Sequence, residues 1–261
     1  MIPWNTLFIC LGAAILIMLA LWFRQRQTGY PAVVDVFWAF MTAGIAIALA
    51  LMAEGPTARK AVAASLIGLW GLRLGTHLAR RFARHPDDSR YIAMKERWNG
   101  KERYMLGFFM LQALACVIFA LPVLAAATGP EWSWPLLAGG LTVALIGKLG
   151  VHVSDQQLRR YLAVESNQGG ICRNGLWSWS RHPNYFFEWV FWCSWPILAA
   201  DGPLWYLALA GMLLMLFFLL KVSGIPHVER EALRKRGDAW REYQASTNAF
   251  IPWPPRRGAS S

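Results

Sequence analysis

A chain of 261 residues that is 56% hydrophobic and only 16% charged, with 15 tryptophans, carries more long apolar runs than one soluble core absorbs, which excludes an ordinary water-soluble domain. The net charge of +11 does not mark a nucleic-acid binder, because the basic residues gather in alternate loops between the apolar runs. The four cysteines, Cys10, Cys116, Cys172 and Cys193, lack metal-ligand or disulfide spacing, and no metal is expected.

Apolar spans of about the length that crosses a bilayer as a helix are predicted at 4–23, 31–52, 60–78, 105–127, 134–154, 184–200 and 202–222. The fold expected is all-α: one polytopic membrane domain over 1–261, a seven-transmembrane helix bundle with a cytoplasmic tail from 223. The first span has no lysine or arginine ahead of it and no small-residue cleavage site after it, so it reads as retained rather than as a signal peptide. Arg24 and Arg26 follow the first span, a run from Arg80 to Arg103 follows the third, Arg159, Arg160, Arg173 and Arg181 follow the fifth, and a basic tail follows the last. The loops at 128–133 and 200–203 have no basic residue and the 53–60 loop has two. Basic loops mark the cytoplasmic side, so the N-terminus is expected outside and the C-terminus in the cytoplasm, as in a bacterial inner membrane.

The second span carries one acid, Asp35, and the third carries Trp70 and Arg73. At the end of the fifth, Asp155 and Arg159 lie four residues apart on one helix face. They can simply pair; alternatively Asp155 accepts ribose or amide hydrogens while Arg159 meets phosphate. Gly169, Gly170 and Gly175 then make a glycine-rich loop. The stretch 180–189 places Arg181, His182, Asn184 and Tyr185 just before an apolar run and Glu188 one turn inside it. A carboxylate about 6 Å into the span costs on the order of 1–3 kcal/mol unless it is paired or faces water, so Glu188 is expected to face the bundle interior. Cationic donors, an amide and a carboxylate within two helical turns suit a charged, many-armed ligand. Neither GxGxxG nor GxxxxGK[ST] is present, which excludes a Rossmann or P-loop source for nucleotide binding.

The tail is predicted as a basic, partly amphipathic helix over 226–244 containing Glu229, Glu231, Lys235, Trp240 and Tyr243. Gly237 inside it costs about 1 kcal/mol relative to alanine. A kink there would fold Trp240 and Tyr243 back over the cytoplasmic mouth; a membrane-surface helix is the alternative.

Ser180 to Glu188, Asp155 with Arg159, and the tail pattern Lys-x-Gly-x-x-Trp-x-x-Tyr ending in Phe-Ile-Pro resemble the membrane steroid 5α-reductase and sterol C14-reductase superfamily. Val34 to Trp38, Trp70 to Leu74 and Ser89-Arg90-Tyr91 are similar to its bacterial branch, and the resemblance runs from about 31 to 253. It implies a seven-helix bundle whose C-terminal helices and cytoplasmic loops hold NADPH, with a lipid-accessible pocket for a 3-oxo-Δ4 steroid or similar enone. By motif match it implies cofactor contacts from Arg73, Asp155, Arg159, Asn184, Glu188 and Tyr243; charge and proximity add Arg181, His182 and Lys235, and Tyr185, Glu229 and Trp240 are candidates for the same site. It also implies an acid on the second helix and a tyrosine on the third that bind and protonate the substrate carbonyl. Here the acid is Asp35, the tyrosine position holds Trp70, and Tyr91 is the candidate to take its place.

The reaction implied is hydride attack on the β-carbon of a conjugated enone while a positioned acid or donor stabilises the charge growing on the carbonyl oxygen. Burial would favour a neutral Asp35 able to donate, with Arg73 or Gln112 as its structural partner if it is not catalytic. The surplus of arginine suits phosphate and favours NADPH over NADH. The alternatives are an isoprenylcysteine-type methyltransferase using S-adenosylmethionine, whose paired tail glutamates are here split as Glu229 and Glu231, and a non-catalytic sterol- or lipid-binding membrane protein. The partners expected are a lipid or steroid entering from the bilayer and the membrane itself, with no nucleic acid and no obligate protein partner.

Overall fold

The computed structural model describes residues 2–86 and 88–256. Among these the regular structure is helical: α1 (Trp4–Thr28), α2 (Val33–Leu51), α3 (Thr57–Arg84), α4 (Ser89–Arg97), α5 (Glu102–Ala127), α6 (Trp134–Ala163), α7 (Pro183–Trp192), α8 (Ser194–Leu198), α9 (Trp205–Phe217), α10 (Ile225–Arg236) and α11 (Asp238–Ser246). A π-helical turn, Phe218–Val222, joins α9 towards α10. Among the described residues six helical runs are long and apolar enough to cross a membrane: α1, α2, α3, α5, α6 and the run Trp205–Arg236. The chain is thus an integral membrane protein. In the last run the apolar stretch ends by Val222, and α10, with Glu229, Arg230, Glu231, Arg234, Lys235 and Arg236, is too polar for lipid.

The span expected over 184–200, the sixth of seven, does not form one helix. Residues 183–198 fold as α7, of 10 residues, and α8, of five, parted at Cys193. Ser194 Oγ donates to the Phe191 carbonyl at 2.7 Å at the break. A helix running straight through would bring the Pro196 ring against the Trp192 carbonyl, with no N–H to bond it.

Two compact units are present, residues 1–133 with 198–211 and residues 134–197 with 212–261. In the first, α2 packs against α3 and α5, and α1 lies along α5. The α2–α3 approach is close because Gly71 faces Ala43, where an added Cβ would come within 2.3 Å of the alanine methyl. Trp70, only 1% exposed, meets Trp38 edge-on, and Trp38 meets Phe119 in the same way. Gln25 Nε2 donates to Glu102 Oε2 at 2.9 Å and ties α1 to α5.

Arg59, in the first turn of α3, is fully buried. It pairs with Asp201, donates to the Thr128 carbonyl at 2.7 Å and lies 4.8 Å from the centroid of the Trp132 ring. Read from the sequence as one of two basic loop residues, it is instead the centre of a clamp joining α3, the loop after α5 and the loop before α9.

In the second unit α6 packs along α7. The loop between them is pinned to α6 by Trp177 Nε1 on the Ser154 carbonyl (3.0 Å) and by the Leu176 N–H on Gln157 Oε1 (2.9 Å). Residues 248–253 lie alongside residues 179–181: Arg181 N–H donates to the Asn248 carbonyl at 2.8 Å, Ser180 Oγ to the Phe250 carbonyl at 2.8 Å, and Trp253 N–H to the Trp179 carbonyl at 3.0 Å. The single tail helix predicted over 226–244 is two helices. Gly237, at φ 53° and ψ −125°, breaks it in a conformation that only glycine adopts without strain, and Trp240 and Tyr243 turn inward onto Ala232.

Candidate functional site

Two polar clusters stand out, one in each unit. The first begins at the N-terminus of α4, where Asp88 accepts the Arg90 N–H at 2.9 Å as an N-cap. The same carboxylate takes the Arg90 guanidinium at 3.0 and 2.8 Å and Arg81, at the end of α3, at 2.9 Å. Held in this way, Arg90 reaches across to α2 and donates to Asp35 Oδ2 at 2.5 Å. The next residue, Tyr91, donates its hydroxyl to Asp35 Oδ1 at 2.7 Å.

Burial alone would raise the Asp88 pKa, but the hydrogen bonds and charge of Arg90, with Arg81 behind it, hold it at about 2. Tyr91 is buried, and burial together with the neighbouring Asp35 charge pushes its hydroxyl well above the ordinary range. The network therefore keeps Tyr91 a protonated donor aimed at Asp35. Where the sequence offers Arg73 or Gln112 as a structural partner for Asp35, the fold gives it Arg90, as an ion pair, and Tyr91.

The second cluster centres on Glu229 of α10. Its Oε1 accepts from Arg181 Nε and His182 Nε2, both at 2.8 Å, and its Oε2 accepts from Trp240 Nε1 at 3.0 Å and from Gln244 Nε2. Burial would raise this carboxyl, yet the four donors bring it down to about 2. Arg181 also donates to the Thr247 and Gln244 carbonyls, and Tyr243 donates its hydroxyl to the Trp177 carbonyl. Burial is the main reason that the Tyr243 hydroxyl is raised. Arg181, His182, Glu229, Trp240 and Tyr243 thus bond to one another and to backbone, fastening α10, α11 and Thr247 to the loop before α7.

The remaining residues named from the sequence lie around this clasp or on α3. Asn184 Nδ2 donates to Asp155 Oδ1 at 3.3 Å and Asn184 Oδ1 accepts the Tyr185 N–H, so Asp155 is bonded across to α7. The Tyr185 ring stacks on His182 at 5.6 Å with an interplanar angle of 9°. Glu188 is half-buried on α7, Arg159 is exposed on α6 and Lys235 is exposed on α10. Arg73 is half-buried on α3 in the first unit. Trp70 has no acidic proton to give, and its packed setting makes it a wall.

Sequence reasoning passed over Asp88, Arg81 and Gln244. An aspartate directly before Ser89-Arg90-Tyr91 is an N-cap signal that could have found the first; no local pattern joins Gln244 to Glu229. Among the described residues no group of three or more His, Cys, Asp or Glu side chains could hold a metal.

No curated protein and no solved structure matches the chain. A family model described as "Protein of unknown function (DUF1295)" matches residues 21–247, and the chain belongs to that family.

Proposed function

For this member of that membrane family we propose an NADPH-dependent reductase that saturates a conjugated C=C bond in a steroid-like lipid enone. The observation that carries the reading is the bond between Tyr91 of α4 and Asp35 of α2. An acid on the second helix hydrogen-bonded to a tyrosine is the pair that the resemblance to steroid 5α-reductases asks for, reached from a different helix. Such a pair can polarise a carbonyl: with substrate bound, the tyrosine hydroxyl turns from the acid beside it to the oxygen on which charge grows.

The donor set also fits NADPH. Arg159 and Lys235, both exposed, offer the cationic donors that phosphates need. Asp155 and Asn184, side by side, offer an acceptor and an amide for ribose or carboxamide hydrogens, and Tyr185 and Glu188 follow on the same helix as Asn184. The Glu229 clasp positions this segment. When bound, NADPH supplies the hydride; the chain's own residues bind it, keep water from the reacting carbon and hold the proton at Tyr91 Oη. In this reading the substrate enters from the bilayer, NADPH from the cytoplasm, and the C-terminus is cytoplasmic in a bacterial inner membrane.

The test is NADPH binding to detergent-purified protein, followed as energy transfer from its tryptophans, with S-adenosylmethionine as competitor, and NADPH oxidation on addition of progesterone. Binding with steroid-dependent oxidation is expected. Binding of S-adenosylmethionine in place of NADPH would point to methyl transfer, and steroid binding without turnover to a lipid carrier.

A further inference from the structure

We propose that one face of α6 carries a binding site for an anionic phospholipid, with an acyl chain in the groove between α6, α7 and the loop before α7 and the phosphate on Arg160. The site does not depend on the reductase reading and lies away from the residues offered there to NADPH.

The groove, of about 670 Å³, belongs wholly to the second unit. Ile146, Leu149 and Val153, at i, i+3 and i+7, form one stripe along α6, and Leu176 and Trp179 of the loop face it. Phe187 of α7 lies against α6 because position 150 is glycine, where an added Cβ would come within 2.1 Å of the Phe187 ring. Ile146, Leu149, Val153 and Trp179 are all exposed, so the groove is open along its length. α6 is one of the runs able to cross a membrane, which sets the stripe in hydrocarbon. An apolar groove holds no water, and what can fill it at that depth is a lipid chain.

Length and polarity identify the chain as that of a phospholipid. From Ile146 to Gln157 the lining runs about 16 Å along the helix axis, close to the roughly 15 Å that half of the hydrocarbon core spans. Polar side chains line it at one end, where Gln157 and Ser178 lie beside Trp179. Gln157 Oε1 accepts the Leu176 N–H at 2.9 Å, while its Nε2 has no acceptor among the described residues. That amide, with the exposed Trp179 indole, suits the ester carbonyls of a lipid. Three residues beyond Gln157 the same stripe reaches Arg160, about 4.5 Å further along the axis. Arg160 is exposed and makes no hydrogen bond or ion pair among the described residues. Its forked guanidinium suits a phosphate. The groove lining holds no acid, so the ammonium of a zwitterionic headgroup finds no partner there and a net negative headgroup is favoured. Asp155, two residues from both Val153 and Gln157, is on the opposite side of α6, bonded to Asn184.

The experiment uses the full chain, purified and delipidated in detergent, and a phosphatidylglycerol with a photoreactive diazirine in one acyl chain. Phosphatidylethanolamine with the same chains is the comparison, and labelled peptides are mapped by mass spectrometry. Labelling is expected within 146–153 and 176–187, with phosphatidylglycerol half-saturating at about a tenth of the phosphatidylethanolamine concentration. Arg160→Gln should weaken phosphatidylglycerol about 10-fold. Val153→Trp fills the groove from an exposed position and alters no charge; it should remove labelling there and leave that of α1 unchanged. Labelling as dense along α1 and α5 as in the groove would mean surrounding lipid only and overturns the site. Equal affinity for the two phospholipids, or an Arg160→Gln chain that binds phosphatidylglycerol as before, overturns the anionic headgroup assignment. Displacement of the phospholipid by progesterone would make the groove a steroid route and overturns the proposal as well.

Discussion

Glu229→Gln is the sharpest perturbation of the second unit. The native carboxylate takes two donors on each oxygen, and glutamine keeps only one accepting atom, so at least one pair of donors among Arg181, His182, Trp240 and Gln244 faces an amide N–H instead. A carboxyl drawn from 4.5 to about 2 corresponds to about 3 kcal/mol of stabilisation, or about 2 kcal/mol once the water reaching its exposed edge is allowed for. For a chain of this size that loss lowers the unfolding temperature by roughly 4–8 °C. The linkage fixes the pH window. The folded-state pKa is depressed, so the contribution is complete above about pH 4.5 and disappears as the pH falls towards 2. Thermal unfolding in detergent at pH 7 and pH 3, with limited proteolysis of the segment 223–256, measures both effects. The variant should be less stable at pH 7, lose its tail to protease first, and differ less from the unaltered chain at pH 3. Equal unfolding temperatures at pH 7 with an equally resistant tail would refute the clasp.

Arg59→Met leaves Asp201 without its buried partner and should cost about 3–5 kcal/mol, read as a fall in unfolding temperature; the double change Arg59→Met with Asp201→Leu should recover much of it. Tyr91→Phe should leave NADPH binding intact while lowering kcat by about 100-fold or more, measured by NADPH oxidation with progesterone. Gly237→Ala places a side chain at φ 53° and ψ −125° and should destabilise by about 1–3 kcal/mol, with the loss appearing as faster hydrogen exchange in α11. Trp70→Phe keeps the packed wall and should leave kcat within about 3-fold of the unaltered value, because an indole in that setting contributes no proton.

The apolar runs were readable because lipid asks only for length and hydropathy, and α1, α2, α3, α5, α6 and α9 fall where the composition places them. The run at 184–200 has the same composition, yet breaks at Cys193, since hydropathy is blind to Pro196 and to the side-chain bond of Ser194. Gly237 declared itself because a glycine has no local reason to sit inside a helix. What the sequence hid is pairing over distance. Arg59 looks like a loop cation until Asp201, 142 residues away, is seen beside it. Asp35 has neighbours of either kind within reach on paper, and only the fold brings Arg90 and Tyr91 to it across 55 and 56 residues. The tail motifs were legible as a pattern, but the bonds of Arg181 and Trp240 to Glu229 and of Tyr243 to the Trp177 carbonyl come only with the fold.

The most direct test of the account is the fate of the hydride. The purified protein is incubated with progesterone and NADPH deuterated at the transferable position of the nicotinamide C4, and the steroid is recovered for mass spectrometry. The account predicts a saturated product carrying one deuterium at the former β-carbon, formed by the unaltered chain and much more slowly by Tyr91→Phe. Recovery of unreduced steroid together with tight binding of S-adenosylmethionine, or a reduced product without deuterium, would contradict it.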